Sequence, residues 1–167
     1  VKASPYEQGV RTPIMFRWPA KISPLINSTE LASNLDLVPT ILKACGIKPD
    51  EKMSGINLLN PKAVKKRKSI FLENFTHDML DVDRPETALR ARSIVEQNWK
   101  LTRWTEPHVK LKSMGWQIGI PQEKVELFDL TKDPLESTNV STLHPKKVEE
   151  LTKQLNSWWN LQVVGKK

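Results

Sequence analysis

The residues with the greatest potential for chemistry are one cysteine and three histidines. A single cysteine, Cys45, excludes an internal disulfide and a cysteine-rich zinc site. The histidines, His77, His108 and His144, are far apart in the sequence. Zinc and related metals need ligands at short, defined spacings, and these residues show none of them. The sequence therefore contains no recognisable metal motif of cysteine and histidine.

Charged residues near the N-terminus form a second candidate group. Glu7 and Arg11 carry opposite charges and are four residues apart, so they can form an ion pair. On the residues alone, this is an ordinary ion pair at the start of a strand. Lys2 precedes Glu7 by five residues.

Composition limits the class of protein. The chain has 167 residues, of which 38% are apolar and 27% charged, so it can fold around a core. No apolar run approaches the ~20 residues that cross a bilayer. The net charge is +7.

The densest basic cluster comprises Lys62, Lys65, Lys66, Arg67 and Lys68. Such a cluster can bind a polyanion or form a solvated loop, and it lacks an aromatic residue to stack on bases, so nucleic acid is not expected.

The first half of the chain predicts a strand, a helix and a second strand. Residues 10–18 contain a short apolar run closed by a proline, which is typical of a buried strand. Asp36 is a predicted N-cap for a helix of about ten residues. Cys45 falls on the apolar stripe of this helix, so we expect a core residue and not a nucleophile. Residues 69–72 predict the second strand.

The second half predicts a small antiparallel sheet and a helix. Residues 89–95 and 99–104 predict a hairpin, and residues 124–130 alternate like a third strand. Pro145 is favoured at the first position of a helix. The apolar stripe of this helix comprises Val148, Leu151, Leu155 and Trp158. We therefore predict a mixed α/β fold in which the small sheet packs on the C-terminal helix.

Four sequence blocks carry a family resemblance. Residues 2–13, KASPYEQGVRTP, resemble a motif of the type I sulfatases in the alkaline phosphatase superfamily. In that motif a lysine lies five positions before a Glu-Gly-Gly-x-Arg-x-Pro turn. Lys2, Glu7, Gly9, Arg11 and Pro13 match it, whereas Gln8 replaces the first glycine.

The other three blocks follow in the family's order. Residues 34–46 resemble its Asp-x-x-Pro-Thr helix, and residues 92–101 resemble its hairpin ending in Lys-Leu. Residues 126–139, ELFDLTKDPLESTN, match most closely. All four blocks belong to the C-terminal part of that family.

The resemblance implies a fold and a reaction. Residues 1–85 would end an alkaline-phosphatase-like α/β sheet domain, and residues 86–167 would form the small antiparallel β subdomain with its terminal helix. The family hydrolyses sulfate esters, here of sulfated carbohydrates or aryl sulfates, with a formylglycine and a calcium ion. We expect both upstream of Val1, with no metal ligand in this chain. The isolated chain, which starts with valine and so resembles a fragment, is expected to be inactive.

The resemblance also implies roles for four residues. Lys2 would be catalytic and donate a charged hydrogen bond to a sulfate oxygen. Glu7 and Arg11 would hold the loop that carries it, an alternative to the ordinary ion pair. His77 follows a predicted sheet strand, where ligand sites are common, and is either a substrate contact or an exposed loop residue.

Other functions stay open on the sequence. A phosphatase or phosphonate monoester hydrolase of the same superfamily would differ in its upstream nucleophile. A non-catalytic polyanion-binding module is the third possibility. The family is secreted, periplasmic or, in eukaryotes, lysosomal, and sequons at Asn27, Asn74 and Asn139 fit this without deciding it. The oligomeric state is left open.

Overall fold

The computed structural model describes residues 4–106 and 121–159, which form two compact units. The sheet unit combines the residues up to Arg11 with those from Phe71 onward. The helical unit comprises Thr12–Ile70. The first eleven residues thus belong with the second half of the chain and not with their sequence neighbours. The division at residue 85 remains a prediction about domain organisation.

Within the described residues, four helices and four strands follow one another. They are α1 (Glu7–Val10), α2 (Leu37–Ala44), α3 (Pro61–Lys66), β1 (Ser69–Phe75), β2 (Leu89–Glu96), β3 (Trp99–Trp104), β4 (Val125–Asp129) and α4 (Pro145–Trp158). Short 3₁₀ helices at Asn34–Asp36 and Pro85–Ala88 complete the described elements. None of the described helices is long and apolar enough to span a membrane.

The sheet has the strand order β1-β2-β3-β4, and both β2–β3 and β3–β4 are antiparallel. The predicted hairpin and third strand are confirmed. In the register, Ser93 lies opposite Thr102, and Lys100 lies opposite Phe128. The hairpin turns tightly at Gln97, whose φ of 53° is left-handed.

Helix α4 covers one face of the sheet. The buried core comprises Ile94, Leu101, Leu127, Leu151 and Leu155. Val148 packs against this core, and the Trp158 ring stacks on Phe71 with centroids 4.7 Å apart. The predicted helical stripe is confirmed, because side chains three and four residues apart share one face of a helix.

The predicted strand at residues 10–18 is wrong. Residues 7–10 are helical and residues 11–18 have no regular structure. A strand needs a neighbouring strand to bond its backbone. The described sheet consists of the strands β1, β2, β3 and β4 and does not include residues 10–18. Met15 in this stretch is 85% exposed. The apolar run around it is therefore not buried by the described residues.

The predicted buried face of α2 is also wrong. Val38, Ile41 and Cys45 are exposed, whereas Pro39 and Thr40 are buried. The Thr40 hydroxyl accepts a hydrogen bond from Leu58 N at 2.9 Å. The side of α2 that carries Thr40 therefore faces the loop that contains Leu58. Cys45 is therefore not a core residue.

Candidate functional site

The segment that follows Lys2 packs against the sheet through an aromatic side chain. The Tyr6 ring lies against Trp104 and Phe128, with centroids 6.2 and 6.1 Å away. Its hydroxyl donates to both carboxylate oxygens of Glu126 at 3.1 Å. Trp104 Nε1 donates to the same carboxylate at 2.6 Å. Tyr6 is thus held by its ring and by its hydroxyl.

A buried ion cluster holds the next residue. The fully buried Lys100 ammonium lies 3.1 Å from Glu7 Oε1 and 3.0 Å from Glu136 Oε1. The other oxygen of Glu136 accepts a hydrogen bond from the backbone N–H of Glu7. We call Tyr6, Glu7, Lys100, Glu126 and Glu136 the anchor cluster.

Burial dominates the electrostatics of the anchor cluster. It raises the pKa of Glu136, although the bonds from Glu7 N–H and Lys100 lower it in part. Burial likewise raises the pKa of Glu126, against hydrogen bonds from Trp104 and Tyr6. The Tyr6 pKa rises through burial and the neighbouring Glu126 carboxylate. The Lys100 side chain is fully buried between two carboxylates, so the cluster is suited to fixing a segment.

The helical unit contains a second buried ion pair. Asp36 accepts two hydrogen bonds from the Arg67 guanidinium, at 2.5 and 2.7 Å. It also accepts from Ile56 N at 2.8 Å and Ser33 N at 2.7 Å. Burial alone would raise the pKa of Asp36, but Arg67 and the two N–H groups hold it below its ordinary value.

These contacts change two predictions about the helical unit. Asp36 makes no side-chain cap on α2; instead it pairs with Ser33 in a capping box for the preceding 3₁₀ helix. Three lysines of the basic cluster lie in α3, which is capped by Asn60, and Arg67 directly after the helix pairs with Asp36. The cluster is therefore not simply a solvated loop.

The structure describes three of the four site residues that the sequence predicted: Glu7, Arg11 and His77. Lys2 lies outside the described residues, as does His108. Glu7 pairs with Lys100 instead of the predicted Arg11, which is exposed. His77 is exposed, two residues beyond the end of β1. No described contact joins it to the anchor cluster.

Sequence analysis missed the anchor cluster, although a signal was present. Three of the four resemblance blocks each supply one of the three residues at its centre: Glu7, Lys100 and Glu136. A lysine within an otherwise buried strand requires a counter-charge, and that requirement indicates a partner elsewhere. The sequence does not predict which residue is that partner, because Glu7 and Lys100 are 93 residues apart.

Comparison with solved structures shows the fold. This chain superposes on a sulfatase from the glycosaminoglycan metabolism of Bacteroides thetaiotaomicron with a TM-score of 0.56, at 21% identity, over 81% of this chain and 28% of that one. A 2-O glycosaminoglycan sulfatase gives a TM-score of 0.51 at 20% identity, over 78% of this chain and 25% of that one. The chain therefore has the fold of the C-terminal part of these proteins, as predicted.

Sequence comparison gives the family. The profile described as "N-sulphoglucosamine sulphohydrolase, C-terminal" matches residues 2–163, so the chain belongs to that family. An ulvan-active sulfatase of Formosa agariphila is 27% identical over 96% of this chain and 30% of that protein. An N-acetylgalactosamine-6-O-sulfatase of Bacteroides thetaiotaomicron is 28% identical over 93% and 29%. This chain therefore spans less than a third of the length of these relatives.

Proposed function

We propose that this chain is the C-terminal part of an enzyme that hydrolyses sulfate esters of sulfated carbohydrates or aryl sulfates. The observation that carries the proposal is the family match over residues 2–163. Two relatives are named for action on ulvan or on sulfated N-acetylgalactosamine, which favours a sulfated glycan. The anchor cluster adds support, because it joins three of the four blocks that resemble the sulfatases.

The described residues do not fit the calcium ion of the family. Among them, no group of three or more histidine, cysteine, aspartate or glutamate side chains could hold a metal. Cys45 lacks the proline and arginine of the formylglycine signature. On the family resemblance, we place the calcium ligands and the formylglycine upstream of this chain.

In this proposal the chain contributes charge and shape to the sulfate site. Lys2 donates a charged hydrogen bond to a sulfate oxygen, and this bond strengthens as negative charge builds up on the transferring group. Glu7 and Arg11 support the segment that carries Lys2. His77, exposed beyond β1, contacts the sugar or aryl part of the substrate.

The experiment that tests the function compares the complete protein with the isolated chain. We expect the complete protein to hydrolyse 4-nitrophenyl sulfate or a sulfated monosaccharide, and to lose turnover in a calcium chelator. The isolated chain is expected to give none. Faster hydrolysis of a phosphonate monoester than of any sulfate ester would favour the phosphonate hydrolase. Heparin retention without turnover of either ester would favour a polyanion-binding module.

Replacing Lys2 by methionine in the complete protein is expected to lower kcat about 10²-fold, because one charged donor to the developing negative charge is lost. Steady-state kinetics with 4-nitrophenyl sulfate would measure this. Lys2→Arg keeps the charge and is expected to retain more activity. Equal kcat for Lys2→Met and the unmodified enzyme would contradict the assigned role.

Replacing His77 by alanine is expected to raise KM about 3- to 10-fold with little change in kcat, because a single substrate hydrogen bond is removed. The matched control is His144→Ala, since His144 is also exposed and lies against the Trp99 ring just before α4. An unchanged KM across several sulfated sugars would leave His77 as an ordinary loop residue.

Location follows from the same proposal. We assign the protein to a secreted, periplasmic or lysosomal compartment on the basis of its family. Of the three sequons, Asn27 is exposed. The Asn139 side-chain amide donates to Val125 O at 3.1 Å, and its oxygen accepts from Leu127 N at 3.0 Å. In a eukaryotic host we therefore expect a glycan at Asn27 and none at Asn139, which peptide mass spectrometry would detect.

A further inference from the structure

We propose that Lys100 and Glu136 are positioning residues for Lys2. They fix residues 4–11 on the sheet and thereby limit the positions that Lys2 can reach. The inference rests on the proposed function, in which Lys2 contacts the sulfate. Neither residue touches a substrate in this account, because both side chains are fully buried and bonded to the segment.

Chain connectivity makes the anchor effective over a short distance. Glu7 is five residues from Lys2, so their Cα atoms lie no more than about 18 Å apart. Tyr6 and Glu7 are both fixed to the sheet, and Pro5 beside them is buried. The segment also belongs to the sheet unit and not to Thr12–Ile70, which follows it in sequence. The anchor therefore limits the positions that Lys2 can reach.

The backbone of Glu136 supports a specific role. Its φ of 56° lies in the left-handed region, which is unfavourable for a residue with a side chain. This conformation accompanies a carboxylate that meets both Glu7 N–H and Lys100 Nζ. Strained residues persist where their surroundings fix them, and they cluster at functional sites. Glycine would relieve the strain but would supply no carboxylate.

Hydrogen bonds, rather than apolar contact, give the segment a defined orientation. A buried ion pair often contributes no more stability than apolar residues of the same volume. Hydrogen bonds to a carboxylate and from a backbone N–H depend on direction, however, and so fix rotation and register. An apolar contact would hold the segment without fixing the direction of its N-terminal end. Catalysis needs that direction, since misplacing a reacting group by about 1 Å can cost 10²-fold in rate.

The test uses the complete protein with two readouts. Amide hydrogen exchange of residues 4–11 reports the anchor, and kcat and KM for 4-nitrophenyl sulfate report the positioning of Lys2. Lys100→Met removes the central charge. Since this variant is expected to be unstable, Glu7→Ala and Glu7→Gln give a second test at the partly exposed end of the cluster. The control is Glu149→Ala, an exposed glutamate on α4.

We expect Glu7→Ala to speed exchange in residues 4–11 by at least about tenfold and to lower kcat about tenfold, with KM changed less. Glu7→Gln keeps an acceptor for Lys100 and is expected to recover most of both losses. Glu149→Ala should change neither. Recovery by glutamine distinguishes positioning from general destabilisation.

Two results would overturn the inference. Exchange in residues 4–11 that stays slow in both Glu7→Ala and Lys100→Met would show that the cluster does not anchor the segment. Fast exchange with unchanged kcat would show that the anchor does not position Lys2. A failed function looks different: the unmodified protein would then turn over no sulfate ester, while the exchange measurements would still decide whether the anchor exists.

Discussion

Replacing Lys100 by methionine is expected to lower the free energy of unfolding by about 3–5 kcal/mol, because it leaves carboxylates without their counter-charge. Methionine is close to lysine in length and fills the same space without the ammonium group. Glu136 is fully buried and Glu7 is 17% exposed, so water can compensate only part of the loss. Burial raises the pKa of Glu136, whereas the contact with Lys100 lowers it. Removing the Lys100 ammonium is therefore expected to raise the pKa of Glu136 further.

Urea denaturation at pH 7, monitored by circular dichroism, would measure the loss in the free energy of unfolding. Lys48→Met is the matched control, because Lys48 pairs with Glu51 at 2.8 Å while both side chains are more than three-quarters exposed. Exposed ion pairs contribute about 0–1 kcal/mol, so the control should stay close to the unmodified protein. Equal losses for the two variants would mean that the anchor cluster is not energetically important.

The sheet and its covering helix could be predicted because their signals are local. A strand alternates every two residues and a helix repeats every 3.6, and both patterns appear within a short window. The hairpin at Leu89–Trp104 and the buried Leu151 and Leu155 were found in this way. Residues 10–18 show the limit of that reasoning. Their apolar run resembles a strand, but strand formation depends on a neighbour that no local pattern reveals.

The anchor cluster could not be predicted because its contacts are long-range. The resemblance identified the sequence blocks, but opposite charge and short spacing paired Glu7 with Arg11, four residues away. The structure pairs Glu7 with Lys100, which is 93 residues away. A buried lysine in β3 requires a carboxylate, and only the folded chain shows that two are available. The partner of Asp36 could not be predicted for the same reason, because Arg67 lies 31 residues further along the chain.

Replacing Asp36 by asparagine is expected to destabilise the helical unit by about 3–5 kcal/mol at pH 7. Asparagine keeps the shape of aspartate but removes the charge opposite Arg67, whose side chain is only 11% exposed. It also offers one oxygen where Asp36 uses two, so the bonds from Arg67, Ile56 and Ser33 cannot all remain. Hydrogen exchange of the α2 amides would measure the loss locally.

The pH dependence of this loss tests its electrostatic origin. The pKa of Asp36 is lowered in the folded protein from an ordinary value of 3.8. A lowered folded pKa contributes stability that is complete above the unfolded value and disappears as pH falls through the folded value. The difference between the unmodified protein and Asp36→Asn should therefore be constant from about pH 6 to 8 and shrink below about pH 4.

The exposed Asp50 provides the control in the same unit, because Asp50→Asn keeps an acceptor for Lys52 N. We expect it to change the α2 exchange rates little at any of these pH values. A loss in Asp36→Asn that persists unchanged at pH 3 would show that shape and hydrogen-bond geometry, and not the ionised carboxylate, stabilise this part of the fold. A loss that shrinks with falling pH would show that the helical unit depends on the charge between Asp36 and Arg67, as the sheet unit depends on Lys100.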